Sequence, residues 1–237
     1  MGSKNKISKY IVPIIQELIN NNGYDNYIEP FVGGANLIDK IECNNKYGYD
    51  INENLIELLQ YAQLNDLPET ITENEYNKVK NNKENYPKWY VGLVGFCGSF
   101  GAKYFGGYAR RNNGDDVPAQ AIRNLRKQSQ SKNFKDIIFD TADFRILQNI
   151  KNSLIYCDIP YKGTTQYKNN NFPYDEFYDW CIKMSKNNTV LISEYDMPSD
   201  KFTPIWSMEL KTSLGSGVNV NSDRNRIEKL FMVNGDL

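Results

Sequence analysis

The sequence predicts an α/β fold: a doubly wound sheet with one small inserted subdomain. Three observations carry this. Short apolar strands ending in Gly or Asp alternate with helical periodicities at both ends of the chain. The alternation stops over residues 65–135 and then resumes. At 237 residues the chain is long enough for one such core plus an insert.

The elements follow in order. Ile7, Tyr10, Ile11, Ile14, Ile15, Leu18 and Ile19 recur at helical spacing until residues 20–23 end the run. Pro13 lies inside this pattern and is expected to bend it. Tyr27-Ile28-Glu29-Pro30-Phe31 reads as a strand entering a glycine turn, Gly33-Gly34, with a helix expected over residues 35–41. Tyr47-Gly48-Tyr49-Asp50 is a second strand with an acid at its end, and residues 54–64 are helical. Residues 65–135 read as an insert around the apolar phrase 90–101. Strands then recur at Ile137-Ile138-Phe139, Leu154-Ile155-Tyr156-Cys157 and residues 189–193, with a helix at 177–186. Residues 206–233 alternate like a terminal hairpin, with Gly215, Ser216 and Gly217 at the turn, and Asn169-Asn170-Asn171 marks a loop.

Composition narrows the chemistry. There are 28 Lys+Arg against 29 Asp+Glu, so a globally basic nucleic-acid binder is excluded, but a local patch is not. One such patch exists. Residues 101–135 hold eight cations (Lys103, Arg110, Arg111, Arg123, Arg126, Lys127, Lys132 and Lys135) against Asp115 and Asp116. The chain has no histidine, which removes Ser-His-Asp and Cys-His nucleophile systems and His-built zinc sites. The four cysteines form no Cys-x-x-Cys pair, so a zinc ribbon or iron–sulfur cluster is not expected. No secretory leader and no apolar run near the roughly 18 residues of a membrane span are read. Unpaired cysteines fit a reducing cytoplasm.

Two turns carry chemistry. In the first, Phe31-Val32-Gly33-Gly34 follows a strand, and glycine there lets backbone approach a ligand. Asp50 follows Phe31 by 19 residues at the end of the next strand, near the spacing of about 20 at which an acid holds ribose hydroxyls. The turn lacks G-x-G-x-x-G and G-K-[ST], and alone it reads equally as an ordinary strand-to-helix connection. In the second, Asp158-Ile159-Pro160-Tyr161 closes an apolar strand, where open α/β sheets bind ligands. Pro160 stiffens the turn and Tyr161 offers a flat face. Alone, it also fits an Asp-capped strand end.

Together these residues resemble a known family. Glu29-Pro30-Phe31-Val32-Gly33-Gly34 is similar to the cofactor motif of adenine-specific DNA methyltransferases, and Asp158-Ile159-Pro160-Tyr161 to their catalytic Asp-Pro-Pro-Tyr motif. Residues 2–6 resemble the glycine-lysine segment that opens these enzymes. Ser193-Glu194-Tyr195 and residues 226–231 resemble their late strands. The motif order is that of the alpha group, DNA adenine methylase-like, and Gly106-Gly107-Tyr108-Ala109-Arg110 resembles short phage-type members. The likeness departs at Ile159, where the family usually has proline, and ahead of Gly2, where it usually has an aromatic residue.

The resemblance implies a methyltransferase-type Rossmann-like sheet. Its catalytic domain would span residues 1–64 and 136–237, with a target-recognition insert at 65–135. It implies S-adenosyl-L-methionine as methyl donor, no metal, duplex DNA as partner, and a monomer or weak dimer in a bacterial or phage-infected cytoplasm. Lys4 and Asp50 would bind the donor, Asp50 through the ribose hydroxyls. Phe31, Gly33 and Gly34 would wall its methionine part, and Asp143-Phe144 its adenine. Asp158, which also lies close to the donor, and the Ile159 carbonyl would hold the target 6-amino group. Pro160 would fix the turn and Tyr161 would stack on the base. Lys103, Arg110 and Arg111 are the cations expected on DNA, while the Tyr104-Phe105 pair is expected to pack.

The chemistry suits the composition. The adenine 6-amino lone pair is delocalised, and two acceptors on its hydrogens draw the nitrogen towards tetrahedral geometry. Positioning and electrostatics do this without imidazole or metal. A duplex target must be flipped out to be reached. An RNA or other amine methyltransferase is the alternative, since acid-x-Pro-aromatic motifs serve those substrates too. A non-catalytic DNA-binding or cofactor-sensing protein is a third reading, and intact Asp158 and Tyr161 speak against it. A paired restriction enzyme and the recognition sequence are not legible.

Overall fold

The computed structural model describes residues 4–111, 114–161, 172–211 and 225–234. Residues 2–3, 169–171 and 215–217, which carry sequence expectations, lie outside the described residues.

Among the described residues seven strands form one sheet: β1 (Asn26–Glu29), β2 (Asn45–Asp50), β3 (Ile137–Thr141), β4 (Ser153–Asp158), β5 (Thr189–Glu194), β6 (Phe202–Lys211) and β7 (Asn225–Val233). Their spatial order is β3-β2-β1-β4-β5-β7-β6. The first five run parallel, and β7 lies antiparallel to both β5 and β6. The sheet is doubly wound, as expected. Chain order reverses between β1 and β4, which makes their carboxyl ends the switch-point crevice where such sheets bind ligands.

The core divides by strand alternation. Leu154 and Tyr156 of β4, Leu191 of β5 and Leu230 of β7 face one side. There they meet Ile7, Ile11, Ile15 and Ile19 of α1 (Asn5–Asn22) and Leu55, Ile56 and Leu59 of α2 (Glu53–Leu64). Ile155 and Cys157, Val190 and Ile192, and Phe231 face the other side, on Phe177, Tyr178, Trp180 and Cys181 of the Tyr174–Ser185 helix. The four α1 isoleucines repeat every fourth residue, which puts them on one stripe. Pro13 sits on the solvent face, and the helix runs through it to a left-handed Gly23 cap. Asn52 caps α2 by accepting the Leu55 amide at 3.1 Å.

The segment between β2 and β3 builds a third core. It comprises α3 (Glu73–Asn81), α4 (Lys88–Cys97), α5 (Val117–Ser129) and α6 (Lys132–Lys135), and the Tyr174–Ser185 helix that follows is α7. A capping box of Thr72 and Glu75 starts α3, and Asp116 caps α5. Tyr76, Val79, Val91, Leu93, Val94 and Ile122 bury against Leu58 and Ala62 of α2. Helix α2 therefore serves two cores, one on the sheet and one in the insert.

One expected element differs. Residues 35–41 do not form an α-helix; only a single 3-10 turn, Ile38–Lys40, is present. Gly33 and Ala35 both take left-handed φ values, 51° and 54°, which no right-handed helix can begin from. The Gly34 and Ala35 carbonyls instead accept from Gln128 Nε2 of α5, at 3.3 and 2.8 Å. The apolar spacing that suggested a helix remains as Leu37, Ile38 and Ile41 in the core.

Candidate active site

The switch-point crevice gathers most of the expected site residues. The β1 turn is tied to β2 by two bonds. The Val32 amide donates to the Tyr49 carbonyl at 2.7 Å, and the Gly33 amide donates to Asp50 Oδ2 at 3.2 Å. Asp50 Oδ1 accepts the Asn52 amide at 2.9 Å. Burial raises the Asp50 carboxyl above its usual range, and these backbone amides work against that shift.

Behind the turn lies an aromatic wall. The Phe31 ring meets Phe144 and Phe172 at 5.8 Å and Phe177 at 5.7 Å between centroids. Phe144 is buried in the core rather than presented to solvent. Asp143 caps the 3-10 turn that carries Phe144 and pairs with Arg145 at 2.9 Å. So Phe144 packs beside Phe31, and Asp143 caps the turn that carries it.

The second half of the site is built on one cation. Lys4 immediately precedes α1, on the sheet face that Tyr156 shares. Its ammonium pairs with Asp158 Oδ1 at 3.2 Å and Glu228 Oε1 at 2.6 Å, and it also meets the Tyr161 hydroxyl. That hydroxyl donates to Glu228. The Tyr161 ring stands edge-on to Tyr195, 4.5 Å between centroids. Ile159 is buried in the second core, and the Pro160 carbonyl accepts from Tyr174 Oη at 2.8 Å, which fixes the turn.

Electrostatics follow from the geometry. Burial pushes the Asp158 carboxyl up, Lys4 pulls it down, and Glu228 pushes it up again. Burial alone would lower Lys4, but its two carboxylates outweigh this and hold it above its ordinary value. Glu29, at the end of β1, accepts from Tyr27 Oη at 2.8 Å, and burial drives its carboxyl well above the usual range. In the Lys4 cluster two carboxylates, Asp158 and Glu228, face one ammonium.

The crevice thus brings together the Asp158 carboxylate at the end of β4, the Asp50 carboxylate at the end of β2 and the aromatic wall around Phe31. Among the described residues no cluster of three His, Cys, Asp or Glu side chains could hold a metal ion.

The expected DNA-contacting cations lie apart, on the insert. Arg110 pairs with Glu73, and Arg111 pairs with Asp115 at 3.1 Å; all four side chains are exposed. Lys103 is exposed at the tip of the same loop. The Tyr104-Phe105 pair packs. Tyr104 accepts from Asn54 Nδ2 at 2.9 Å and lies by Phe96, while Phe105 lies against Tyr76. Arg126, counted in the basic run, is structural: it holds Asp66 and the Leu67 carbonyl. Sequence reasoning missed the part of Glu228, although a signal existed. It shares the strand face of the core residues Leu230 and Met232 on β7, and a carboxylate at an inward position needs a partner.

The chain is similar to several known proteins. Type II methyltransferase M.FokI from Planomicrobium okeanokoites is 24% identical over 205 residues, covering 76% of this chain and 30% of that protein. The chain thus spans under a third of that curated relative. Among solved structures, the rRNA methyltransferase aviRa from Streptomyces viridochromogenes aligns over 98% of this chain and 85% of its own, at 10% identity and a TM-score of 0.47. TrmN from Thermus thermophilus aligns over 98% and 52%, at 10% identity and a TM-score of 0.38. Among the described residues no helix is long and apolar enough to cross a membrane. Residues 1–93, which contain Lys4, the Phe31–Gly34 turn and Asp50, match the family of D12 class N6 adenine-specific DNA methyltransferases.

Proposed function

We propose that this chain transfers a methyl group from S-adenosylmethionine to the 6-amino group of adenine in duplex DNA, after flipping the base. The observation that carries the reading is the juxtaposition of Asp158 and Tyr161 at the end of β4 with the Gly33–Asp50 link between β1 and β2. One half suits a nucleoside-bearing sulfonium donor, and the other suits a planar amine.

In this reading the donor supplies an activated methyl group, and the chain supplies position. Asp158 and the Ile159 carbonyl accept the two amino hydrogens, which localises the nitrogen lone pair. Tyr161 stacks on the flipped base and offsets part of the stacking that the duplex gives up. Asp50 holds the ribose, Phe31 with Gly33 and Gly34 walls the methionine part, and Asp143 with Phe144 packs the adenine. Residues 65–135 form the target-recognition unit, and 1–64 with 136–237 form the catalytic unit. Lys103, Arg110 and Arg111 meet phosphates. The acidic partners of the two arginines are exposed, and solvent-screened pairs of that kind contribute little, so a phosphate can replace them.

The test is transfer of labelled methyl to unmethylated duplex DNA, single-stranded DNA and RNA, followed by nucleoside analysis. N6-methyladenine in duplex DNA is the expected product. Label confined to RNA would give the site to an RNA methyltransferase, and no label in any substrate would remove the reading.

A further inference from the structure

Glu228 has no part in the chemistry just described, yet it is the most deeply buried member of the Lys4 cluster, with 3% of its side chain exposed. A buried carboxylate needs pairing, and Lys4 alone would supply it. Glu228 does more. It takes the Lys4 ammonium at 2.6 Å and also accepts from the Tyr161 hydroxyl.

The consequence falls on the Tyr161 ring. Tyr161 follows the end of β4, beyond the last sheet bonds, so its backbone fixes only one end of the side chain. Tyr195 meets the ring from the side. The hydroxyl, at the far end, is held by Lys4 and Glu228 together. Fixing both ends of a side chain with two torsions leaves it one orientation. A platform already in that orientation loses less rotamer freedom when a base arrives. Lys4 also lies nearer Glu228 than Asp158, 2.6 against 3.2 Å, so Glu228 draws the ammonium off the acceptor that faces substrate.

We infer that Glu228 is a positioning residue: it orients Tyr161 as the platform for the flipped adenine and holds Lys4 back from Asp158. This rests on the reading that Tyr161 receives the target base. Both bonds end on the same oxygen, Oε1, so what the carboxylate adds is its charge: it balances the buried ammonium and strengthens the bond from the phenol, and a neutral glutamine oxygen would do both less well.

The test uses the full chain and a duplex carrying an adenine that the wild-type protein methylates. Single-turnover methyl transfer is measured for wild type, Glu228→Gln, Glu228→Asp, Tyr161→Phe and the Glu228→Gln/Tyr161→Phe double variant. Donor affinity is measured by calorimetry. Glu228→Gln is expected to slow transfer about 10- to 100-fold while changing donor affinity less than about threefold. Glu228→Asp should recover part of the rate. Tyr161→Phe keeps the ring and removes the anchor, so it should slow transfer too. The double variant should be no slower than Glu228→Gln alone, because both changes cut one linkage.

Effects that multiply in the double variant would overturn the inference, as would a wild-type rate in Glu228→Gln. Should Glu228→Gln fail to fold, Tyr161→Phe decides alone, and a wild-type rate there overturns the inference. A wild-type chain that methylates no DNA removes the functional reading, and this inference with it. An active wild type with unaffected variants removes the inference only.

Discussion

Asp50 and Gly33 are joined across neighbouring strand ends: the Gly33 amide donates to Asp50 Oδ2 at 3.2 Å, so the acid that closes β2 also holds the turn that leaves β1. The left-handed Gly33, at φ 51°, aims its amide that way. A ligand reaching Asp50 therefore meets a carboxylate already oriented by backbone.

This gives the first prediction. Asp50→Ala should weaken donor binding by about 10- to 150-fold, the worth of a charge-assisted hydrogen bond of roughly 1.5–3 kcal/mol. Duplex affinity without donor should stay near wild type. Calorimetry with unchanged donor affinity would take Asp50 out of the site.

Asp158→Ala should reduce methyl transfer by on the order of 10²-fold or more, since the variant lacks a positioned acceptor. It should also weaken donor binding, because in the proposed reading Asp158 itself lies close to the donor. Wild-type turnover in the purified variant would show the catalytic motif to be misassigned.

The pH dependence has a definite sign. Asp158 accepts hydrogens only when ionised, so activity should be present above its folded pKa and fall as pH drops through it. Burial raises that pKa, and Lys4 is what lowers it. Lys4→Met should therefore move the acid limb of kcat/KM to higher pH, whatever it does to the plateau. A limb that stays put, or moves down, contradicts the ion pair.

On the insert, Arg110→Ala or Arg111→Ala should separate phosphate binding from base reading. An arginine that meets only phosphate should, once removed, weaken binding on all duplexes and flatten the salt dependence by about one unit of slope. An arginine that reads a guanine edge should, once removed, cost about 1–3 kcal/mol on the true site only. Binding at three salt concentrations distinguishes these. Wild-type affinity and slope in both variants would leave the two arginines as partners of Glu73 and Asp115 alone.

Gly92 lies where α4 crosses α2. A Cβ there would stand 2.0 Å from the Asn54 backbone carbonyl, which no side-chain rotation can relieve. Gly92→Ala should cost about 1–3 kcal/mol or more by forcing the helices apart. At about 2–4 °C per kcal/mol for a chain of this size, a thermal melt would register it. An unchanged melting temperature would mean that the two helices separate freely.

What the sequence disclosed follows from what each signal depends on. The sheet was legible because β4 and β5 are apolar runs with an acid or a turn at the carboxyl end, a local feature. Asp50, Asp158 and Gly33 were legible for the same reason. The missing 35–41 helix was not, because Gln128, distant in sequence on α5, takes the carbonyls a helix would need. Glu228 was hidden likewise. Its meaning lies in Lys4 and Tyr161, and only sheet order brings β7 beside β5. Arg126 looked like part of a basic patch until Asp66 and the Leu67 carbonyl claimed it.

The 224 residues that separate Lys4 from Glu228 also set a clock. On a ribosome adding about 5–20 residues per second, the carboxylate is made roughly 11 to 45 s after the ammonium. By then β1 to β5 already exist and can pair, with Lys4 and Asp158 in reach of each other but Tyr161 unanchored. The strand that completes the crevice is also the one that inserts between β5 and β6. A nascent chain would therefore have its five parallel strands before it has the carboxylate that anchors Tyr161.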